Sequence, residues 1–135
     1  MHRIILPMLL LCAGTAALSS DHGYAAREAA KNKAELDKAL TGLVPGKPQQ
    51  CLDSRDQYAT QRIGDTILYK VSRRKIYRAD TNGGCNGLDR GDAIVTRQFG
   101  SQLCAGDPIR TVDLTSRIPS GFCTIREFVP YTAPK

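Results

Sequence analysis

The strongest constraint on the fold of this chain is a set of four cysteines spread through its C-terminal two-thirds. They are Cys51, Cys85, Cys104 and Cys123. No two of them are closer than 19 positions, so there is no C-x-x-C pair to hold a zinc ion or form a redox centre. In an exported chain, an even number of cysteines predicts disulfides, here two with three possible pairings. We therefore predict two disulfides and no metal site.

The N-terminal segment predicts export. A short positive start precedes a run of 14 almost wholly apolar residues over 4–17, which ends in small residues that suit a signal peptidase. A helix needs about 20 apolar residues to span a bilayer. We assign residues 1–19 to a signal peptide and expect a periplasmic or secreted protein with no transmembrane helix in the mature chain. A lipid anchor on Cys12 is an alternative, although Leu11 is not the small residue that lipoprotein processing prefers.

A helix is predicted after the signal. Residues 25–43 are rich in Ala, Lys, Glu and Leu, which favour helices. An apolar stripe at i, i+4 and i+7 that could dock on a larger body consists of Leu36, Leu40 and Leu43. Proline and glycine over 45–48 end this segment. We therefore assign residues 20–48 to a helical spacer and linker, and residues 49–135 to a β domain.

The rest of the chain is typical of a β domain. Strand-forming runs separated by turn residues cover 66–71, 75–78, 93–99, 109–114 and 122–129. The first two flank a polar turn and predict a hairpin. The fold class predicted is mainly β, a small disulfide-stabilised β-barrel or sandwich preceded by one N-terminal α-helix.

A domain of this size buries a limited core, so the cross-links matter for its stability. Among the three possible pairings we favour the nested one, Cys51 with Cys123 and Cys85 with Cys104, because it would tie the first strand to the last. The other two pairings remain open.

The glycine-rich segment TNGGCNGLDRGD, residues 81–92, has three interpretations. A calcium loop starting at Asp80 would lack the oxygen ligand at its fifth position and the glycine at its sixth. An Arg-Gly-Asp adhesion tripeptide is frequent by chance. We favour a turn-rich connection anchored by a disulfide, in which Asp89 and Asp92 hydrogen-bond to backbone.

Positive charge is concentrated in the β domain. Residues 47–135 contain 14 Lys and Arg against 9 Asp and Glu, which favours anionic partners but is also common in soluble proteins. The candidate binding residues are Arg73, Arg74, Lys75 and Arg78, with Tyr69 and Tyr77. Basic and aromatic side chains in this arrangement can bind a polyanion. Alternatively, the charges merely solvate a hairpin tip.

Catalysis is disfavoured by the distribution of histidine. The chain has two, His2 in the predicted signal and His22 near the predicted mature start. No imidazole lies in the β domain, which excludes Ser-His-Asp and Cys-His chemistry there. A hydrolase that uses the aspartate pairs 53/56 or 89/92 is a weaker alternative. We predict neither catalytic residues nor a cofactor.

Several short motifs resemble an uncharacterised family of small exported bacterial proteins and lipoproteins. The matching positions are Cys51, 77–78, 85–88, 103–109, Cys123, Phe128 and Pro130. The resemblance implies a disulfide-bearing β domain in the cell envelope and supplies no activity. We expect a non-catalytic binding or structural module, with an unidentified envelope component, an anionic polymer or lipid headgroups as partner. An inhibitor of secreted enzymes is a further alternative.

Overall fold

A computed structural model describes residues 20–56, 59–98 and 100–134. The predicted signal peptide and Cys12 lie outside the described residues. The described residues form one helix, α1 (Ser20–Ala39), a short 3-10 helix (Ser54–Asp56) and nine strands. The strands are β1 (Val44–Pro45), β2 (Cys51–Asp53), β3 (Ala59–Ile63), β4 (Thr66–Ser72), β5 (Lys75–Thr81), β6 (Ala93–Thr96), β7 (Gln102–Cys104), β8 (Pro108–Val112) and β9 (Pro119–Thr132). The predicted fold class, mainly β with an N-terminal helix, is confirmed.

The large sheet is antiparallel and curls into a half-barrel. Its strand order is β3-β4-β5-β9-β8-β6, and β1 pairs with the end of β9. The 14-residue strand β9 connects the two halves of this sheet. Its first part pairs with β8, as in Cys123 opposite Ile109, and its second part pairs with β5, as in Phe128 opposite Ala79. A second sheet contains only β2 and β7.

The main core lies on the inner face of the large sheet, beneath the β2–β7 sheet. Leu52 of β2 and Leu103 of β7 are fully buried in this core. From the large sheet it receives Ile67, Tyr69, Tyr77, Ala79, Ile109, Cys123, Ile125 and Phe128. Strand β4 has four consecutive buried residues, 66–69, because helix α1 covers the opposite, outer face of the sheet.

The chain docks on the outer face of the sheet through the C-terminal end of helix α1 and the turn that follows it. Leu36, Ala39, Leu40 and Leu43 pack against Ile63, Leu68 and Ile76 on the outer face. The predicted leucine stripe is thus the docking surface. Near the start of the helix, Tyr24 is exposed. After the helix, Val44 and Pro45 form β1, so the segment predicted as a linker contributes a short strand to the sheet.

The four cysteines form two disulfides, as predicted, but the nested pairing is wrong. Cys51 bonds to Cys104, and Cys85 bonds to Cys123. Cys51 and Cys104 lie directly opposite each other in the β2–β7 ladder, with Cα atoms 4.0 Å apart. The chain after β5 continues beside β9, which brings Cys85 next to Cys123 with a Cα separation of 5.1 Å. Strand register therefore decides the pairing.

One buried hydroxyl lacks a hydrogen-bond partner among the described residues. Tyr69 is 2 % exposed, its ring contacts Phe128 edge-on at a centroid distance of 5.8 Å, and its Oη is buried without a partner. Burial raises the pKa of Tyr69 far above its ordinary value. Because an unsatisfied buried hydroxyl is destabilising, we expect Tyr69→Phe to raise the free energy of unfolding by about 1 kcal/mol, measured by urea denaturation.

The matched control for this substitution is Tyr77→Phe, because Tyr77 faces Tyr69 across the β4–β5 ladder and is equally well buried. The Tyr77 side chain interacts with Lys75. Removing the Tyr77 hydroxyl should therefore leave the free energy of unfolding unchanged or lower it by up to about 1 kcal/mol. A destabilising effect of Tyr69→Phe would contradict the assignment of an unsatisfied hydroxyl.

Candidate binding surfaces

The predicted basic cluster lies on the β4–β5 hairpin, whose tip is exposed. Arg73 and Arg74 form the turn, and both side chains are exposed. The Arg74 amide donates a 3.2 Å hydrogen bond to Ser72 Oγ, and the Arg74 carbonyl accepts a 3.0 Å bond from the amide of Ala133. These contacts hold the turn in place and leave both guanidinium groups facing solvent.

Lys75 makes internal contacts instead. Its Nζ lies 3.6 Å from Asp56 Oδ2 and 4.9 Å from the ring centroid of Tyr77. Hydrogen bonding to Tyr77, together with the charge of Asp56, raises the pKa of the Lys75 ammonium. Lys75 therefore stays protonated and helps to hold the 3-10 helix against the hairpin.

Arg78 and the two tyrosines do not join this tip. Arg78 makes two 3.0 Å hydrogen bonds to the carboxylate of Asp80, one from Nε and one from Nη2. Tyr69 and Tyr77 lie in the main core, only 2 % and 4 % exposed. Neither ring is exposed for stacking on a base, so the six candidate residues do not form one surface. The reason is strand alternation, which places Arg78 on the opposite face from Lys75 and Tyr77.

A polar groove of about 690 Å³ runs beside the Arg78–Asp80 pair. Its lining also includes Asn82, Arg126 and Glu127, and thus carries two guanidinium and two carboxylate groups. The Arg78–Asp80 pair is used internally, and the remaining two charges are opposite in sign. The groove therefore has no net charge with which to select an anion or a cation.

The glycine-rich connection between β5 and β6 is a disulfide-anchored turn structure, as predicted, but the Asp92 carboxylate accepts hydrogen bonds from side chains and not from backbone among the described residues. The amide of Asn82 donates to the carbonyl of Thr124, and the amide of Phe122 donates to the carbonyl of Gly84. Cys85 then bonds covalently to Cys123. These links fix the connection along the first half of β9.

The carboxylate of Asp92 anchors the end of this connection. Asp92 is 5 % exposed, and its Oδ2 accepts a 2.5 Å hydrogen bond from Ser120 Oγ. Nearby, Thr111 Oγ1 donates a 2.6 Å bond to the carbonyl of Asn86. An activated serine needs a base whose pKa lies near neutral pH, usually an imidazole. The described hydrogen bonds of Ser120 join it to Asn86, Asp92 and Thr111 and include no imidazole, so they fit a structural role for this cluster.

Two arginines complete the cluster around Asp92. Arg90 Nη2 lies 3.3 Å from Asp92 Oδ2, and Arg62 Nη1 donates to the Asp92 carbonyl. At Gly87, φ is 95° and an added Cβ would collide with the Asp92 carboxylate, which explains why glycine occupies this position.

Asp89 is exposed, so it does not share the buried site of Asp92 as paired acid–base chemistry would require.

The other aspartate pair, Asp53 and Asp56, also does not form one site, because the two carboxylates contact different partners. Asp53 accepts bonds of 3.0 Å from the amide and 2.9 Å from Nη2 of Arg55. These hydrogen bonds lower the pKa of Asp53 to about 2. Asp56 instead faces Lys75. A carboxylate that is ionised at neutral pH is a poor general acid, so Asp53 does not fit the acid role that the hydrolase hypothesis would give it.

An exposed mixed surface, which sequence reasoning missed, lies on the outer face of the sheet at the end that helix α1 does not cover. We call it the arginine–apolar face, and it consists of Val95, Arg97, Pro108, Arg110 and Phe122, which line a partly enclosed cavity of about 260 Å³. Val95, Arg110 and Phe122 lie opposite one another on β6, β8 and β9. Val95 is 50 % exposed and Phe122 is 57 % exposed.

Strand alternation was the sequence signal for this face. Cys123 and Ile125 are buried inside, so Phe122 and Thr124 must point outward. The same argument applied to β8, where Ile109 is buried, places Arg110 outside. The charges of the basic hairpin are adjacent in sequence, whereas the residues of the arginine–apolar face meet only through the sheet.

Comparisons with protein-family models, curated proteins and solved structures find no match to this chain. The resemblance to exported bacterial proteins therefore stays a prediction. Within the described residues, no helix has the length and apolar character needed to cross a bilayer. In the same residues, no cluster of three or more Asp, Glu, His or Cys side chains is arranged to hold a metal ion.

Proposed function

We propose that this protein is a non-catalytic binding module of the bacterial cell envelope, periplasmic or secreted, and that it contacts its ligand through the arginine–apolar face. The observation that carries the proposal is the row of Val95, Arg110 and Phe122 across three strands, because it exposes apolar side chains beside a cation. Apolar surface rimmed by polar groups is typical of interaction sites.

The two disulfides support the location. Disulfides form and persist in oxidising compartments, and they indicate a non-cytoplasmic protein. They also support a binding role, since Cys85–Cys123 stiffens the strand that carries Phe122. A rigid surface loses less conformational entropy when it binds.

Site-specific photocrosslinking tests this proposal. A benzoylphenylalanine at position 122 should form adducts with an envelope component in exporting cells. The control is the same group at position 24 on helix α1, where the native Tyr24 is 70 % exposed. We expect adducts from position 122 and few from position 24. No adducts, or equal labelling at both positions, would remove the arginine–apolar face as the binding surface.

A second candidate function is polyanion binding by the hairpin tip. It is favoured by the exposure of Arg73 and Arg74 on a turn held by backbone hydrogen bonds. Binding to an anionic polysaccharide that weakens steeply with salt and is lost in Arg73→Gln/Arg74→Gln would support this alternative. No binding at low salt would eliminate it.

A further inference from the structure

Exposed apolar side chains are concentrated on β6 and the β8–β9 hairpin. Six large hydrophobic side chains among the described residues are at least half exposed, and four of them belong to this region. They are Val95 on β6, Leu114 and Ile118 in the loop between β8 and β9, and Phe122 on β9. The remaining two, Tyr24 and Val44, are far from these four in the sequence.

The loop between β8 and β9 is an ordered structure. Asp113 Oδ1 accepts hydrogen bonds of 2.8 Å from the amide of Thr115 and 2.7 Å from the amide of Ser116. The amide of Arg117 donates a 2.8 Å bond to the Asp113 carbonyl, and Arg117 has φ of 59°. This turn holds Leu114 and Ile118 in solvent, 71 % and 64 % exposed. An ordered turn that displays two aliphatic side chains requires an explanation other than loop mobility.

The same region carries three arginines that take part in no ion pair among the described residues. Arg97 and Arg110 belong to the arginine–apolar face, whose lining includes no acidic residue, and Arg117 lies in the loop. The acidic groups nearest in sequence hydrogen-bond to backbone amides and form no ion pair with these arginines among the described residues, since Asp107 accepts from the Cys104 amide and Asp113 from the amides of its own turn.

We propose that this region docks on the surface of an anionic phospholipid bilayer, an inference that rests on the proposed function and names its ligand. The guanidinium groups of Arg97, Arg110 and Arg117 would bind lipid phosphates. Phe122, Val95 and the loop residues would insert between headgroups. Arginine reaches phosphate while its stem stays in apolar surroundings, and Phe and Leu side chains are typical of the apolar surface that proteins bury at the headgroup–acyl boundary.

Shape favours a bilayer over a protein partner. Phe122 and Ile118 are four positions apart on the hairpin, roughly 13 Å at the rise of an extended strand. The cavity between Val95 and Phe122 is small, about 260 Å³. Separate apolar side chains can each enter a fluid interface, whereas a folded partner needs a continuous complementary surface.

The chain has no tryptophan, which makes the test simple. The variant Phe122→Trp, purified after export, places a single indole on the arginine–apolar face. On vesicles of equal parts phosphatidylglycerol and phosphatidylcholine, its fluorescence should shift to shorter wavelength, and the protein should sediment with the vesicles. On pure phosphatidylcholine we expect neither. The variant Tyr24→Trp is the control for insertion and should not shift.

Two arginine double variants of equal charge locate the contact. Arg97→Gln/Arg110→Gln, made in the wild-type protein, should weaken partition onto anionic vesicles by roughly 25-fold, because each arginine near the surface contributes about fivefold. Arg73→Gln/Arg74→Gln should lose much less, because it removes the same charge from the hairpin tip. Circular dichroism shows whether each variant is folded.

Three results would overturn the inference. They are absence of binding to anionic vesicles by the folded wild type, a larger loss for the hairpin-tip variant than for Arg97→Gln/Arg110→Gln, and an equal spectral shift at position 24. If crosslinking at position 122 yields protein adducts while vesicles are not bound, the bilayer is rejected and the proposed function stands. If position 122 gives no adducts of any kind, the proposed function itself fails.

Discussion

Replacing Cys85 and Cys123 together by alanine is expected to lower the free energy of unfolding by about 4 kcal/mol. The reason is that the unfolded chain gains conformational entropy when the cross-link no longer closes a loop. The two cysteines are 38 positions apart and almost fully buried. Because small domains have total stabilities of roughly 5–15 kcal/mol, this loss is a large part of the whole. Urea denaturation followed by circular dichroism measures it.

The matched variant is Cys51→Ala/Cys104→Ala. Its cysteines are 53 positions apart, so loop closure contributes a similar amount, about 4 kcal/mol. Both cysteines are only half-buried, however, so less packing is lost. We expect the Cys85/Cys123 variant to be the less stable of the two. A loss below about 1 kcal/mol in both variants would contradict the view that the cross-links support a small core.

Phe128→Ala is expected to cost about 3–5 kcal/mol, the range for removing a fully buried aromatic side chain. Phe128 is 0 % exposed and contacts the Tyr69 ring in the main core. Its amide and carbonyl also exchange 2.9 Å hydrogen bonds with Gln49, which joins β9 to the segment before β2. Thermal or urea unfolding measures the loss.

Phe122→Ala is the control for Phe128→Ala, because it removes the same side chain from the same strand. Phe122 is 57 % exposed, so its removal should change the free energy of unfolding by less than about 1 kcal/mol. The pair separates a side chain that holds the fold together from one that is free to contact a ligand. An equal cost for both substitutions would show that Phe122 is a core residue and would undermine both proposals.

The elements that sequence analysis found are those with a local signal. The helix has helix-forming composition and a leucine stripe, and the β4–β5 hairpin has two β-prone runs around a polar turn. Strand β3, with the sequence ATQRI, has little apolar alternation, and β2 and β7 have three residues each. Such strands are fixed by their partners, so local pattern cannot predict them.

Pro130 shows how pairing overrides a local rule. Proline is expected to end a strand, yet β9 continues through it to Thr132. The Pro130 carbonyl accepts a 2.7 Å hydrogen bond from Gly46. In an antiparallel ladder the amide and carbonyl of one residue face the same neighbouring strand. The N–H that Pro130 lacks would therefore face the short strand β1, and no hydrogen bond to β5 is lost.

The predicted disulfide pairing was wrong, and the arginine–apolar face was not predicted. Both depend on which strands are neighbours in the sheets, which local sequence does not show. The nested pairing would join the first strand to the last, whereas β2 pairs in register with β7. The charged residues of the predicted basic cluster are neighbours in sequence. The arginine–apolar face brings together β6, β8 and β9, which only the strand order reveals.

Peptide mapping of the protein isolated from exporting cells, with free thiols blocked at harvest and no reductant, tests the account most directly. Trypsin should yield two cross-linked products, in which residues 39–55 are joined to 98–110 and residues 79–90 are joined to 118–126. This result would place the folded, cross-linked module in an oxidising compartment. Four blocked thiols, or peptide 39–55 joined to 118–126, would contradict the architecture that aligns Phe122 with Arg110 and Val95.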